Sequence, residues 1–457
     1  MDGLVLFDAL TRETMLFAAT GFLIGGLDDL IVDIVYIVRR IVDKKARRQR
    51  LADIPMPSTP GRMAVLVGAW DEAAVIGQMI AAALARLDHP DYRLYIGLYP
   101  NDRATIDAAA SVAGHDSRVR LVIGERDGPT TKADNLNTLW RALIADDACE
   151  GRATKAVVIH DAEDVVHPAE LRLFDALIGE HAVVQLPVLP LVVPGSPLIS
   201  GHYADEFATS HSSQMVVRTA IAAAMPLAGT GCAIAVPMLA AIAAERGGDP
   251  FDAASLTEDY ELGLRIAECG GRGVFARVED GDGELIAIRA YFPATIAAAT
   301  RQKARWMTGI ALAGWDRTGW ARAGAVADHW MRMRDRRGPL AVLVLAVAYA
   351  AMLLWGMQPI VHWAVGVPTG GDALAQWLMS VTTALLVWRL ALRVAFTWRC
   401  YGWRQGMLAL PRFVVGNIIA LMAAPRAMAR YWVILRGGLP QWDKTQHAFP
   451  ALDGTTR

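Results

Sequence analysis

Hydrophobic and polar positions divide this chain into three regimes. In the first, residues 15–38 form one long apolar stretch interrupted by Asp28, Asp29 and Asp33. Its length suits a membrane span. Three aspartates are costly in lipid, so they are expected to face other helices or water. The alternative for the same stretch is an amphipathic helix lying in the membrane interface. Arg39-Arg40 and the run Lys44-Lys45-Ala46-Arg47-Arg48-Gln49-Arg50 follow, which places the exit on the cytoplasmic side. Residues 51–60 carry Pro55, Pro57 and Pro60 and read as a linker.

In the second regime, short apolar runs at 63–67, 94–98, 119–123 and 156–159 alternate with helical stretches at 73–87, 105–113 and 132–143. Such alternation predicts βαβ units and a mainly parallel sheet, an α/β fold extending to about residue 330. In the third, residues 340–365 and 373–396 are each long enough to span a bilayer. A shorter block, 413–424, is flanked by Arg412, Arg426 and Arg430. The loop 366–372 has no Lys or Arg, whereas arginines cluster at 332–337 and at Arg399, Arg404 and Arg412. The loop is therefore expected outside and the arginine-rich ends in the cytoplasm. If the third block crossed, Arg426, Arg430 and Arg436 would face outside. An interfacial or re-entrant block with its tail inside is the expectation. Three parts result: 1–50, 51–330 and 331–457.

Composition agrees with a membrane protein. Hydrophobic residues make up 54% and charged residues 20%, with a mean hydropathy of +0.29, too apolar for an ordinary soluble domain. A net charge of -1 gives no electrostatic argument for a nucleic-acid partner. Cys149, Cys232, Cys269 and Cys400 form no CxxC pair or zinc pattern, so free thiols in a reducing compartment are expected. Asp2, Asp8 and Glu13 stand where a secretory signal would carry its basic residues.

Chemistry concentrates at His160-Asp161-Ala162-Glu163-Asp164, directly after the apolar run 156–159. A buried strand here delivers carboxylates to the sheet edge where open α/β folds bind ligands. Asp161 and Glu163 can share a hard divalent cation, which accepts one or two carboxylates plus phosphate oxygens. Asp102 follows the run 94–98, and Lys132 opens a helix, a place suited to phosphate. Thr257-Glu258-Asp259 precedes a helix at 260–267, and Gln302-Lys303-Ala304-Arg305-Trp306 lies before the membrane blocks. Singly, each has a plain structural reading. Asp102 suits a turn, Thr257 a helix cap, Lys132 a solvated helix face and Trp306 a bilayer anchor. His160 and His167 suit turns, since their spacing is not that of a zinc site.

Together and in this order, these motifs resemble the membrane-embedded, processive family 2 glycosyltransferases, the group that includes cellulose and hyaluronan synthases. The family's Asp, Asp-x-Asp, Thr-Glu-Asp and Gln-x-x-Arg-Trp become Asp102, Asp161-Ala162-Glu163, Thr257-Glu258-Asp259 and Gln302-Lys303-Ala304-Arg305-Trp306. Tyr99-Pro100-Asn101-Asp102 and the tail Trp442-Asp443-Lys444-Thr445-Gln446-His447 are similar to a subgroup that serves in a bacteriophage-receptor system. The resemblance implies a cytoplasmic GT-A domain with flanking transmembrane and interfacial helices. Trp70, Asp71, Glu72 and Asp102 would hold uridine, and Lys132 the diphosphate. Asp161 and Glu163 would hold Mg²⁺ or Mn²⁺, with Asp164 the alternative to Glu163. Asp259 would be the general base, Arg305 would balance the pyrophosphate and Trp306 would stack on the acceptor sugar. Gly231, in Gly229-Thr230-Gly231-Cys232, would lie beside the acceptor, and Gln185-Leu186-Pro187 would end a strand along its path. Tyr203-Ala204-Asp205-Glu206-Phe207 would begin an interfacial helix or pack in the core.

The implied activity is that of an inverting transferase in the bacterial inner membrane. It would build an exopolysaccharide from a UDP-sugar, with an N-acetylhexosamine favoured. The growing polysaccharide, the bilayer, and an outer-membrane export partner or a second copy would be its partners. Two other readings remain: a phage-receptor scaffold with a vestigial centre, and a non-processive transferase acting on a lipid-linked acceptor.

Overall fold

The computed structural model describes residues 2–42, 49–114, 116–368, 370–438 and 448–450. The basic run at 44–48 and the tail motif 442–447 lie outside the described residues. A long helix, α1 (Asp2–Val42), precedes the α/β domain. That domain begins with β1 (Gln49–Arg50), β2 (Met63–Gly68), α2 (Ile76–Arg86), β3 (Tyr92–Leu98), α3 (Arg103–Ala113) and β4 (Val119–Ile123). It continues through α4 (Lys132–Glu150), β5 (Ala156–His160), α5 (Glu170–Leu177), β6 (Val183–Gln185), β7 (Val188–Leu191), α6 (Ile199–Thr209) and α7 (Met215–Ala220). Then come β8 (Cys232–Ala235), α8 (Val236–Glu245), α9 (Glu258–Glu268), β9 (Gly273–Phe275), β10 (Val278–Glu279), β11 (Ile288–Tyr291) and α10 (Ile296–Trp306). The chain ends in α11 (Ala313–Thr318), α12 (Val326–Arg336), α13 (Gly338–Val365), α14 (Ala373–Tyr401) and α15 (Trp403–Leu435).

Seven strands form the main sheet in the order β4-β3-β2-β5-β8-β6-β9, with β8 antiparallel to both of its neighbours. Alternation along β2 sends Met63, Val65 and Val67 to one face and Ala64 and Leu66 to the other. The first face is covered by Ile76, Met79 and Ile80 of α2 and by Leu173 and Phe174 of α5. The second is covered by Leu136, Leu139 and Leu143 of α4, Leu239 and Ile242 of α8, and Leu262 and Ile266 of α9. Both faces are therefore buried, which is why these strands read as unbroken apolar runs. The stretch 51–60 is more than a linker: Leu51 and Ile54 are buried in the first of these cores.

The helices after the sheet depart further from expectation. Among the described residues, three are long and apolar enough to cross a membrane: α13, α14 and α15. The third extends well past 413–424 and continues through Pro411 and Pro425. Bonds near both of its ends go to the α/β domain. Arg412 donates to Asp205 of α6 (3.1 Å) and to the Pro197 carbonyl (2.7 Å), and Tyr431 donates to Asp316 of α11 (2.5 Å). Helix α1, which carries Asp28, Asp29 and Asp33, is not among these three. It packs against both α13 and α14, and each aspartate meets arginine there. Arg337 reaches Asp28 and Asp29 at 2.6 Å each, Arg334 also pairs with both, and Arg389 lies 3.3 Å from Asp33. At the other end Arg12 meets Asp372 (2.7 Å) and His362 meets Asp8 (2.8 Å). From Asp8 to Asp28 the helix rises about 30 Å at 1.5 Å per residue, the thickness of a hydrocarbon core. Between these polar ends the contact is tight. A Cβ on Gly21 would lie 2.7 Å from Val344, and one on Gly26 would lie 2.9 Å from Leu385.

Candidate active site

The C-terminal edge of the sheet gathers most of the predicted residues. Strand β5 ends at His160, and the next residue, Asp161, turns out of the sheet with its side chain about one-third exposed. Lys132 opens α4, and its ammonium pairs with Asp161 and donates to the Gly229 carbonyl (2.8 Å). Burial opposes this charge, yet Asp161, Glu258 and Asp259 together hold it above the ordinary lysine value.

Gly229 brings in the second carboxylate. Its φ of +76° suits glycine, and a Cβ there would stand 2.7 Å from Asp259 Oδ2 and 3.6 Å from Lys132 Nζ. Asp259, in the first turn of α9, accepts from the Tyr260 amide (2.8 Å). Burial and then the adjacent Glu258 raise its carboxyl to about 7, against the pull of Lys132, the Tyr260 amide and Arg305. A carboxyl poised there exchanges protons near neutrality. Gly231 also takes a positive φ, where a Cβ would run into Ile288.

A second group sits on the neighbouring strand ends. Asp102 caps α3 through the Thr105 amide (3.3 Å) and accepts from the Asp71 amide (2.6 Å). Trp70 meets Tyr99 edge-on at 5.1 Å, and Glu72 is buried, its amide donating to Thr105 (3.0 Å). Asp102 is thus both a capping residue and the organiser of the Trp70-Asp71-Glu72 turn.

Some expectations change. Asp164 does not face the open edge beside Glu163. It is buried and accepts from the Asp161 amide (2.8 Å), from Thr230 and from His160 (3.1 Å). Glu163, two residues beyond Asp161, keeps a half-buried position. His160 lies behind the edge, its other nitrogen 2.8 Å from Glu170. Burial opposes its charge, but Glu170 and Asp164 raise it to about 10. Thr257 makes no capping bond; it is buried against Gly309, where a Cβ would meet it at 2.5 Å. Trp306 is no simple bilayer anchor. It ends α10 and packs against Tyr203 (6.0 Å) and Phe207 (6.4 Å), with Lys303 over its ring. Gln302 has a buried carbonyl oxygen with no partner. Tyr203 lies inside α6 rather than at its start, and it is fully buried. Glu170 was not foreseen as part of the site. Its only nearby signal was His167, whose amide it accepts (3.0 Å).

Comparison with known proteins bears on this geometry. A family model described as "Glycosyltransferase like family 2" matches residues 60–309. Bacteriophage adsorption protein B of Escherichia coli (strain K12) is 34% identical over 95% of this chain, and bacteriophage N4 adsorption protein B of Escherichia coli O157:H7 gives the same figures. The chain spans 62% of the length of these relatives. A mannosyltransferase of Pyrobaculum calidifontis, solved in complex with GDP-Man and Mn²⁺, shares the fold. Its TM-score is 0.52 at 16% identity, covering 89% of this chain and 99% of that one.

Proposed function

From the chain's membership of the glycosyltransferase-like family 2, we propose that it is an inverting, UDP-sugar-dependent transferase that builds an exopolysaccharide at the bacterial inner membrane. One observation carries this reading: the Lys132 ammonium joins Asp161 to the Gly229 carbonyl, and Gly229 abuts Asp259. A donor-side and an acceptor-side carboxylate therefore stand around one small space at the sheet edge.

The residues present fit a divalent cation. Asp161 and Glu163 offer only oxygen donors, and Asp161 already accepts a cation in the form of the lysine ammonium. Among the described residues no group of three or more His, Cys, Asp or Glu forms a closed metal cage. A two-carboxylate site leaves room for diphosphate oxygens and water. Asp161 and Glu163 would hold Mg²⁺ or Mn²⁺, which when bound supplies Lewis-acid stabilisation to the departing nucleoside diphosphate. Lys132 and Arg305 contribute fixed positive charge on the same side. Trp70, Glu72 and Asp102 would seat the uridine, and Trp306 and Gly231 would border the acceptor sugar. Asp259 takes the proton of the acceptor hydroxyl. The hydroxyl oxygen bonds to the anomeric carbon as the carbon–phosphate-oxygen bond breaks, and UDP leaves with that electron pair.

Helices α1, α13 and α14 would cross the bilayer, placing the α/β domain in the cytoplasm. α15, bonded to that domain near both ends, would lie along the membrane surface. A vestigial scaffold has less support, since it has no need of Asp161, Lys132, Asp259 and Arg305 around one space. The test is UDP release from a panel of UDP-sugars with Mn²⁺ or Mg²⁺, using the detergent-solubilised chain. Release is expected from at least one sugar and should vanish in Asp259→Asn and Asp161→Ala. A wild type that binds no nucleotide and releases no UDP overturns the reading.

A further inference from the structure

Behind the open edge lie three ionisable side chains that the transfer chemistry does not touch. His160 is 0%, Glu170 0% and Asp164 2% exposed. Taking charges so far from water costs several kcal/mol per ion unless it is paired, and here both acidic groups meet the one histidine. His160 bonds to Asp164 (3.1 Å) through one ring nitrogen and to Glu170 (2.8 Å) through the other. The second Glu170 oxygen accepts from the His167 amide (3.0 Å), which ties the group to the start of α5.

Asp164 then reaches in two directions. It accepts the Asp161 amide (2.8 Å), which fixes the turn carrying the proposed metal carboxylate. It also accepts the Thr230 hydroxyl. Thr230 is the neighbour of Gly229, the residue against which Asp259 rests. The same loop is held by the Gln185 amide, which donates to the Thr230 carbonyl (2.9 Å), while Gln185 accepts from the Ala228 amide (2.9 Å). A backbone bond from Gly231 to Ile159 (2.9 Å) secures its far side. A continuous chain of contacts thus runs Glu170, His160, Asp164, Thr230, Gly229, Asp259, with a branch from Asp164 to Asp161.

We infer that His160, Asp164 and Glu170 form a buried brace that positions the two halves of the site, keeping donor-side Asp161 and the acceptor-side loop 228–231 in one register. The inference rests on the transferase reading. These are positioning residues, since none reaches the open edge. Their effect follows from geometry: a displacement of about 1 Å between donor and base costs on the order of a hundredfold in rate.

Thr230→Val tests the link, because it keeps the side-chain shape and removes only the hydroxyl. Using the full chain with Mn²⁺ and a UDP-sugar that the wild type turns over, kcat should fall roughly tenfold or more while the donor KM stays within roughly twofold. Thr230→Ser, which restores the hydroxyl, should recover kcat. Glu170→Gln, which weakens the hold on His160 at constant volume, should give the same split, and it carries the test should Thr230→Val fail to fold. The inference is overturned by wild-type kcat in the valine variant, by a loss confined to KM, or by a serine variant that does not recover. An active wild type with an unaffected valine variant defeats the brace alone. A wild type that releases no UDP defeats the transferase reading and the brace with it.

Discussion

Two sets of acidic residues in this protein have opposite fates. In α1, Asp28 and Asp29 each meet the guanidinium groups of Arg334 and Arg337, and Asp33 meets Arg389 and the Trp388 indole N–H (3.1 Å). At the sheet edge, Asp161, Glu258 and Asp259 gather around Lys132, with Arg305 near enough to act on Asp259. The first set is matched by the protein itself, as charges beside lipid must be. The second keeps more acidic groups than cations at a partly exposed edge, which suits the cation and diphosphate of the proposed function. Paired acids here secure helix packing, and under the proposed function the second set would provide the chemistry.

Substitutions in the two sets should therefore separate activity from stability. The largest effect is expected at Asp259. Asp259→Asn should lower kcat by roughly 10²- to 10⁴-fold, the worth of a general base. It should leave the melting temperature unchanged or slightly higher, because a carboxylate beside Glu258 is removed. UDP release and thermal unfolding in detergent check both halves. Next, Asp161→Ala should abolish Mn²⁺-dependent nucleotide binding by calorimetry while the chain still folds.

On the membrane side the order reverses. Arg334→Gln combined with Arg337→Gln removes both arginines from Asp28 and leaves Asp29 only Arg389, and should cost about 3–5 kcal/mol, read as a fall in melting temperature. The kcat of the protein that remains folded should stay near wild type. Adding Asp28→Asn and Asp29→Asn should recover much of that loss. If the arginine variant instead loses kcat without losing stability, the division between the two sets fails.

The smallest expected effects are those of pH. Activity should rise as pH increases through about 7, where Asp259 becomes the base. In stability, two buried histidines act in opposite directions. Burial and the nearby Arg277 lower His211 to about 3. The unfolded chain therefore takes up a proton below about 6.5 that the folded state refuses, and this contribution is lost as pH falls from there. His160 is raised to about 10, so its contribution is complete below about 6.5 and fades as pH climbs through 10. Thermal melting across pH, with His211→Asn and His160→Asn as controls, distinguishes the two slopes.

The first half of the sheet was legible because β2, β3 and β5 are buried on both faces, and the half-exposed edge strand β4 is still an apolar run bounded by polar turns. Strand β8 was not predicted. Cys232–Ala235 is a short strand whose antiparallel direction depends on β5 and β6, far away in sequence. Helix α15 was foreshortened because Pro411 and Pro425 flank its apolar middle, and an interior proline ordinarily ends a helix. At the site, Asp161, Lys132 and Asp259 were legible from motif order alone. The separation of Glu163 from Asp164 was not, because Asp164 is claimed by Thr230, a residue that only folding brings near.

The glycines of α1 bear on how a product would leave. With Val344 and Leu385 pressed against Gly21 and Gly26, the contacts of α1 with its two neighbours leave no room at those points even for an added methyl group. Were the chain to export a glycan, as the proposed function entails, the path would lie away from those two contacts.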